Sequence, residues 1–247
     1  MLRLIVWTAT IWFVLVFFTG CAQQQPGSAN LMANQDRSRP DQIIDAEKAK
    51  TPPITATTYY TTGLLMENQG DYAGAVDKFI RAIDSDPQSI PAYNHLGLCY
   101  TRLRNYQQAE ETYKQALQRA PQLPHLHNNL GFVYLLQNKF VDAEAELRNA
   151  LASDPGFRRA HSNLGVALAK QGKTKEALDE FFQACSRSEA YYNLGVILHS
   201  QGKVNKAEQS YRLALKLDPN FEPAQKGLEQ IKNGNSLSED KVTMNKD

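Results

Sequence analysis

From residue 56 onward, apolar side chains recur in paired amphipathic stretches separated by polar breaks, and the whole pattern returns at a fixed interval. Gly63, Gly97, Gly131 and Gly165 stand 34 residues apart, and Gly195 follows after 30. Tyr59, Tyr93, His127, His161 and Tyr191 lie four places before these glycines, and Leu96, Leu130, Leu164 and Leu194 lie directly before four of them. Ala75, Ala109, Ala143, Ala177 and Ala207 come twelve places after. Phe79, Tyr113, Leu147, Phe181 and Tyr211 follow at sixteen, then Ala82, Ala116, Ala150, Ala184 and Ala214 at nineteen. At 3.6 residues per turn, each set falls on one face of a helix. The small residues predict close approach of two helices, and the bulky ones fill the space beside them. Gly70-Asp71, Asn105, Asn138-Lys139, Gly172-Lys173 and Gly202-Lys203 mark turns within each pair. Asp-Pro at 86-87, 154-155 and 218-219 ends the second helix, because a residue before proline avoids the helical well.

This pattern resembles the tetratricopeptide repeat (TPR) over residues 56 to 232. The resemblance implies an all-α chain wound as a right-handed superhelical solenoid of five helix-turn-helix units. The units are 56-89, 90-123, 124-157, 158-187 and 188-221, with a C-terminal capping helix over 222-232 and a disordered tail over 233-247. No unit can bury its apolar face alone, so five stacked units make one continuous core. Unit four lacks four residues and its proline, running from Ala184 through Cys185-Ser186-Arg187-Ser188 into unit five. Four residues is close to one helical turn, so the facing is kept while the connection tightens, and altered stacking between units four and five is expected.

The first 55 residues follow different rules. Met1-Leu2-Arg3 is a short basic start, and Leu4 to Phe18 is an apolar run broken only by Thr8 and Thr10. That run is shorter than the ~20 residues that span a bilayer, and it reads as a signal-peptide core over 1-20. Phe18-Thr19-Gly20-Cys21 then resembles the bacterial lipobox, which implies that Cys21 is lipidated and becomes the anchored N-terminus after cleavage. An uncleaved anchor helix is the alternative, and both readings put the bulk of the protein outside the cytoplasm. Ala22 favours outer-membrane sorting, facing the periplasm. Residues 21-55 are rich in Gln, Asn, Ser, Asp and Pro and read as a flexible tether, with only Ile43-Ile44, Ala46 and Ala49 hinting at a short helix. As a coil it would hold the repeats roughly 30 Å from the anchor.

Composition narrows the partners. The chain has 27 Lys+Arg against 26 Asp+Glu, and Arg3 is the only charge in the first 20 residues. A nearly neutral chain lacks the basic face that nucleic acid requires, so no nucleic acid is expected. Three cysteines in 247 residues are too few for a disulfide scaffold.

No Gly-rich phosphate loop, nucleophile elbow or zinc-hydrolase motif is present. His95 and Cys99, four apart on one helix, would permit a thiolate-imidazole pair, but no third orienting group accompanies them. His125, His127 and His161 are candidate metal ligands by residue type, yet His127 and His161 occupy the aromatic packing position and no Cys or carboxylate joins them at ligand spacing. No cofactor, metal or small-molecule substrate is expected. Cys99 and Cys185 lie two units apart, about 20 Å for helices ~10 Å wide, too far for a disulfide.

What remains is a surface. In the TPR fold the outer face of each first helix lines a concave groove. The residue after each repeated glycine gives Leu64, Leu98, Phe132, Val166 and Val196, an apolar stripe thickened by Leu135 and Leu136. Beside it stand Tyr60, Asn94, Asn128, Asn129, Asn163, Tyr192 and Asn193, amides and phenols suited to a peptide backbone, with Arg159 available to an acid. The expected ligand is an apolar helix or extended peptide. The plainer alternative is that neighbouring first helices bury the stripe and that the asparagines are structural. The lysines of a chaperone-type carboxylate clamp are absent, with Tyr60, Asn94, Asn128, Ser162 and Tyr192 in their place. Signal, tether and repeats together resemble TPR lipoproteins that assist pilus and secretin assembly, tight-adherence systems included. That implies a non-catalytic scaffold which holds an envelope protein at the membrane. The alternative is an adaptor for cell-wall hydrolases or envelope proteases.

Overall fold

The structure, a computed structural model, describes residues 54–234, so Cys21, the signal segment, most of the tether and the C-terminal tail lie outside the described residues. The described residues form eleven helices and no strand. Unit one pairs α1 (Ala56–Asn68) with α2 (Tyr72–Ser85), and unit two pairs α3 (Ile90–Arg102) with α4 (Tyr106–Arg119). Unit three is α5 (Pro124–Leu136) with α6 (Phe140–Ser153), and unit four is α7 (Arg158–Lys170) with α8 (Thr174–Ala184). Unit five is α9 (Arg187–Ser200) with α10 (Val204–Leu217), and α11 (Glu222–Lys232) closes the stack.

The glycine period has a steric cause. A Cβ at Gly63 would lie 2.7 Å from the Phe79 ring, at Gly97 2.6 Å from Tyr113, and at Gly131 2.7 Å from Leu147. At Gly165 and Gly195 it would lie 2.6 Å from Phe181 and Tyr211. The bulky residue of each second helix rests on the bare backbone of its own first helix. The alanines twelve and nineteen places beyond each glycine are all buried, which lets the two helices meet at that distance.

In units one, three and five the second helix stops for two reasons, of which the proline is one. Asp86, Asp154 and Asp218 leave the helix in an extended conformation, and their carboxylates accept the N–H of Gln88 at 3.1 Å, Gly156 at 3.0 Å and Asn220 at 3.1 Å. Such Asx turns satisfy backbone donors that the helix cannot. Within the pairs, the left-handed turn residue is Gly70, Gly172 or Gly202 in units one, four and five, and Asn138 in unit three. In unit two it is Arg104, with φ of 61°, rather than Asn105.

The junction between units four and five differs as its missing residues foretell. Helix α8 has 11 residues where the other second helices have 14, and only Cys185 and Ser186 separate it from α9. With no proline to stop α8, a capping box starts α9. The Glu189 N–H donates to Ser186 Oγ at 3.3 Å, and the Ser186 N–H donates to the Glu189 carboxylate at 2.8 Å. A glutamine side chain reports the resulting shift. Gln137 Nε2 donates to the Tyr106 carbonyl at 3.1 Å and Gln171 Nε2 to the Phe140 carbonyl at 3.2 Å, matching sites at the start of the preceding second helix. Gln201 instead reaches the Ala169 and Lys170 carbonyls at 3.3 and 3.1 Å, at the end of the preceding first helix.

Candidate functional site

The predicted wall divides along its length. Leu64, Leu98 and Phe132 are half-buried and form an apolar line in units one to three, with Tyr60, Asn94 and Asn129 half-buried beside it. In units four and five the expectation of an exposed stripe is corrected, since Val166 is 5% and Val196 2% exposed. Leu135, at 7%, is also interior, while its neighbour Leu136 stays half-buried. Helix α7 is buried from Ser162 to Ala169 and α9 from Asn193 to His199, because small residues and the shortened junction draw these first helices together. The Lys170 ammonium donating to Ser200 Oγ at 3.2 Å and the displaced Gln201 contacts tie them.

The asparagines are likewise corrected from peptide-binding groups to structural ones in the middle of the molecule. Asn163 Nδ2 donates to Asn128 Oδ1 at 3.0 Å, Asn128 Nδ2 to Asn129 Oδ1 at 3.3 Å, and Asn129 Nδ2 to Asn94 Oδ1 at 2.9 Å. This amide chain crosses three successive first helices. Asn128 and Asn163 are 1% and 4% exposed, so their amides are spent on each other. Asn193 is buried as well. Arg159 is exposed.

Tyrosines close both ends of the wall. Tyr60 packs against Phe79 and His95, with ring centroids 5.9 and 5.8 Å away. Tyr192 packs against Tyr211 and Phe221 at 5.8 and 5.5 Å. Burial raises the phenol pKa of both, with Glu67 adding to the effect at Tyr60, so both stay protonated donors. Beside Tyr192 lies a cavity of about 180 Å³ lined by Tyr211, Pro223, Lys226, Gly227 and Gln230 among others. The Tyr211 hydroxyl is buried with no hydrogen-bond partner.

The thiol-imidazole pair does not form. Cys99 is fully buried, and burial, then the charge of Glu67, pushes its thiol up to about 12. His95 Nδ1 instead meets Glu67 Oε2 at 2.8 Å. His127 and His161 do more than pack, since each ring bonds through both nitrogens to groups within the fold. Among the described residues no cluster of His, Cys, Asp or Glu is arranged to hold a metal, and Cys99 and Cys185 are free thiols.

One network was missed in the sequence. Lys139 reaches back to Glu110 of unit two at 2.9 Å, and Lys173 to Glu144 of unit three at 2.8 Å. Lys114 also binds Glu110 at 2.6 Å, and Arg148 and Gln171 bind Glu144 at 2.9 and 2.8 Å. Burial pushes both carboxyls up, but these donors outweigh it and hold them at about 2. The signal was available, since both pairs lie 29 residues apart at equivalent repeat positions.

Helical pairs stacked in this way, each second helix resting on a bare glycine, define a repeat solenoid. Tetratricopeptide-repeat models match residues 57–89, 90–123, 129–185 and 188–221, which together exceed half of the chain. The chain belongs to the tetratricopeptide-repeat family. Solved structures with the same fold include YrrB, described as a TPR protein with an unusual peptide-binding site. It is 22% identical, with 76% of this chain and 97% of that one covered and a TM-score of 0.56. MamA is 20% identical, covering 76% of this chain and 100% of its own, with a TM-score of 0.57. The C-terminal part of a TPR repeat-containing protein from Cytophaga hutchinsonii is 18% identical, covering 76% and 79%, with a TM-score of 0.58. No curated protein matches the chain.

Proposed function

We propose that the protein is a non-catalytic, membrane-tethered interaction scaffold whose wall in units one to three takes an apolar peptide or helix of an envelope protein. The observation that carries this reading is the half-buried line of Leu64, Leu98 and Phe132, flanked by Tyr60, Asn94 and Asn129. Three large apolar side chains in register on successive first helices offer a strip that one amphipathic helix can cover. The peptide-binding site described for YrrB, a protein of the same fold, supports a peptide as the guest. Cys21 serves as the lipid anchor and places the scaffold in the cell envelope, at the outer membrane facing the periplasm. The complex it assists is a pilus or secretin.

A photo-crosslinker at Phe132 in living cells, compared with one at Val141 on a second helix (71% exposed), tests the wall. The expected outcome is one envelope protein trapped from Phe132 and not from Val141. Equal trapping from both positions, or trapping from Val141 alone, defeats the reading. Fatty-acid labelling lost in Cys21→Ala tests the anchor. Loss of surface fibres or secretin multimers on deletion tests the pathway, whereas altered wall turnover would point to the hydrolase adaptor.

A further inference from the structure

Of the five bulky residues that rest on a first-helix glycine, only Tyr113 and Tyr211 carry a hydroxyl. Tyr113 bonds through it to Thr101, twelve residues earlier in the chain. In unit five the residue twelve before Tyr211 is His199, and the equivalent bond is not made. The Tyr211 hydroxyl and His199 Nδ1 are both buried without a hydrogen-bond partner. Tyr211 is 0% exposed, so its hydroxyl has given up water and gained no bond in exchange, which costs the fold stability.

The local sequence explains why no neighbour answers it. The Tyr211 ring lies between two bare backbones, since a Cβ at Gly195 would be 2.6 Å from it and one at Gly227 2.8 Å. Gly227 stands three places after the buried Ala224, and Asn129 and Asn163 stand three places after the buried Leu126 and Ala160. Those asparagines reach back to Asn94 and Asn128 of the preceding unit, whereas α11 has no side chain at that point. The hydroxyl-bearing Cζ is the ring atom nearest the Cβ position of Gly227. Tyr211 and Gly227 both line the cavity of about 180 Å³ beside Tyr192.

We propose that this cavity is a binding site for the uncharged amide of an asparagine or glutamine side chain on a partner protein. Burial, with Tyr192 adding to it, raises the Tyr211 phenol pKa, so the hydroxyl stays protonated and can donate to a carbonyl. Neutrality follows from the rest of the lining. Glu222 and Lys226 bind each other and leave no net charge to draw an ion into a space otherwise walled by Tyr192, Pro223 and Gly227. The preference for an amide follows from Gln230, half-buried at the same cavity, whose side chain has both a donor and an acceptor. The guest carbonyl accepts from the Tyr211 hydroxyl while the guest NH2 donates to Gln230 Oε1. This site lies at the C-terminal end of the stack and does not depend on what the wall of units one to three binds.

The test is nuclear magnetic resonance titration of the full chain with butyramide as the probe. Its isomer N-methylpropionamide stands in for a peptide backbone, and butyrate and butylammonium are the charged counterparts. Saturable shifts of the Gly227 amide and the Gln230 side chain are expected with butyramide, and weaker binding of the other three. Tyr211→Phe removes only the hydroxyl and should weaken butyramide about two- to tenfold, the net effect of one hydrogen bond. Unshifted wild-type signals, equal affinity in the variant, or tighter binding of any other probe overturns the proposal. Should Tyr211→Phe fail to fold, Gln230→Leu takes its place: weaker butyramide binding is again expected, and unchanged affinity overturns the proposal.

Discussion

Arg104 holds a left-handed backbone conformation, with φ of 61°, where three sister turns use glycine and one asparagine. A residue with a Cβ is strained there by about 1–2 kcal/mol. Arg104→Gly lowers that strain but gains freedom in the unfolded chain, so a net stabilisation of about 1 kcal/mol is expected in urea unfolding. Tyr211 presents a second local conflict. Its hydroxyl is buried without a partner, while Phe79 and Phe181 fill the same place in units one and four with no hydroxyl at all. Tyr211→Phe should therefore be neutral or stabilising by up to about 1 kcal/mol, because it removes a desolvated group that makes no bond. A loss of more than that in thermal or urea unfolding would mean that the hydroxyl has a partner in solution. Neither conflict is legible in the sequence, where Arg104 is an ordinary polar turn residue and Tyr211 an ordinary aromatic.

At the scale of helices, the glycine and alanine period was legible because every unit buries the same contact, and burial of one contact five times leaves five copies of its residues. The shortened fourth unit was legible for the same reason, as a break in the count. What replaced the missing proline was not foreseen. Ser186 and Glu189 start α9 by capping each other, a local device that the repeat pattern does not announce. Ser186→Ala should cost about 1 kcal/mol, within the usual range for a lost N-cap, and the loss should fall on α9. Hydrogen exchange resolved by residue would show faster exchange in the first turn of α9 with α1 to α6 unchanged. The amide chain from Asn94 to Asn163 belongs here too. The asparagines were visible, but whether they face a guest or each other depends on the distance between neighbouring first helices, which no single unit sets.

Across the whole molecule, charge ties the units together along the edge where the paired helices turn. Glu110 and Glu144 each bind a lysine of the following unit, and both are held at about 2, well below the 4.5 of a free glutamate. A carboxyl whose folded pKa is depressed contributes stability that is fully present above its unfolded value and is lost as pH falls toward the folded one. Unfolding free energy should therefore be insensitive to these groups above about pH 5 and decline between about pH 4.5 and 2. Glu110→Gln/Glu144→Gln should flatten that decline and lower stability near neutral pH. An unchanged acid slope in the double variant would remove these bridges from the account.

The order of helices, the glycine contact and the irregular junction were determined by the sequence alone, because each rests on spacing within one unit or between neighbours, and spacing is what a sequence records. The extent of the open wall was decided only by the tertiary structure. Leu98 and Val166 stand at the same repeat position and read alike, yet one is half-buried and the other is 5% exposed. Their difference comes from how closely the neighbouring first helices approach. That distance is a sum over small side chains, a shortened junction and the hydrogen bonds of residues far apart in the chain.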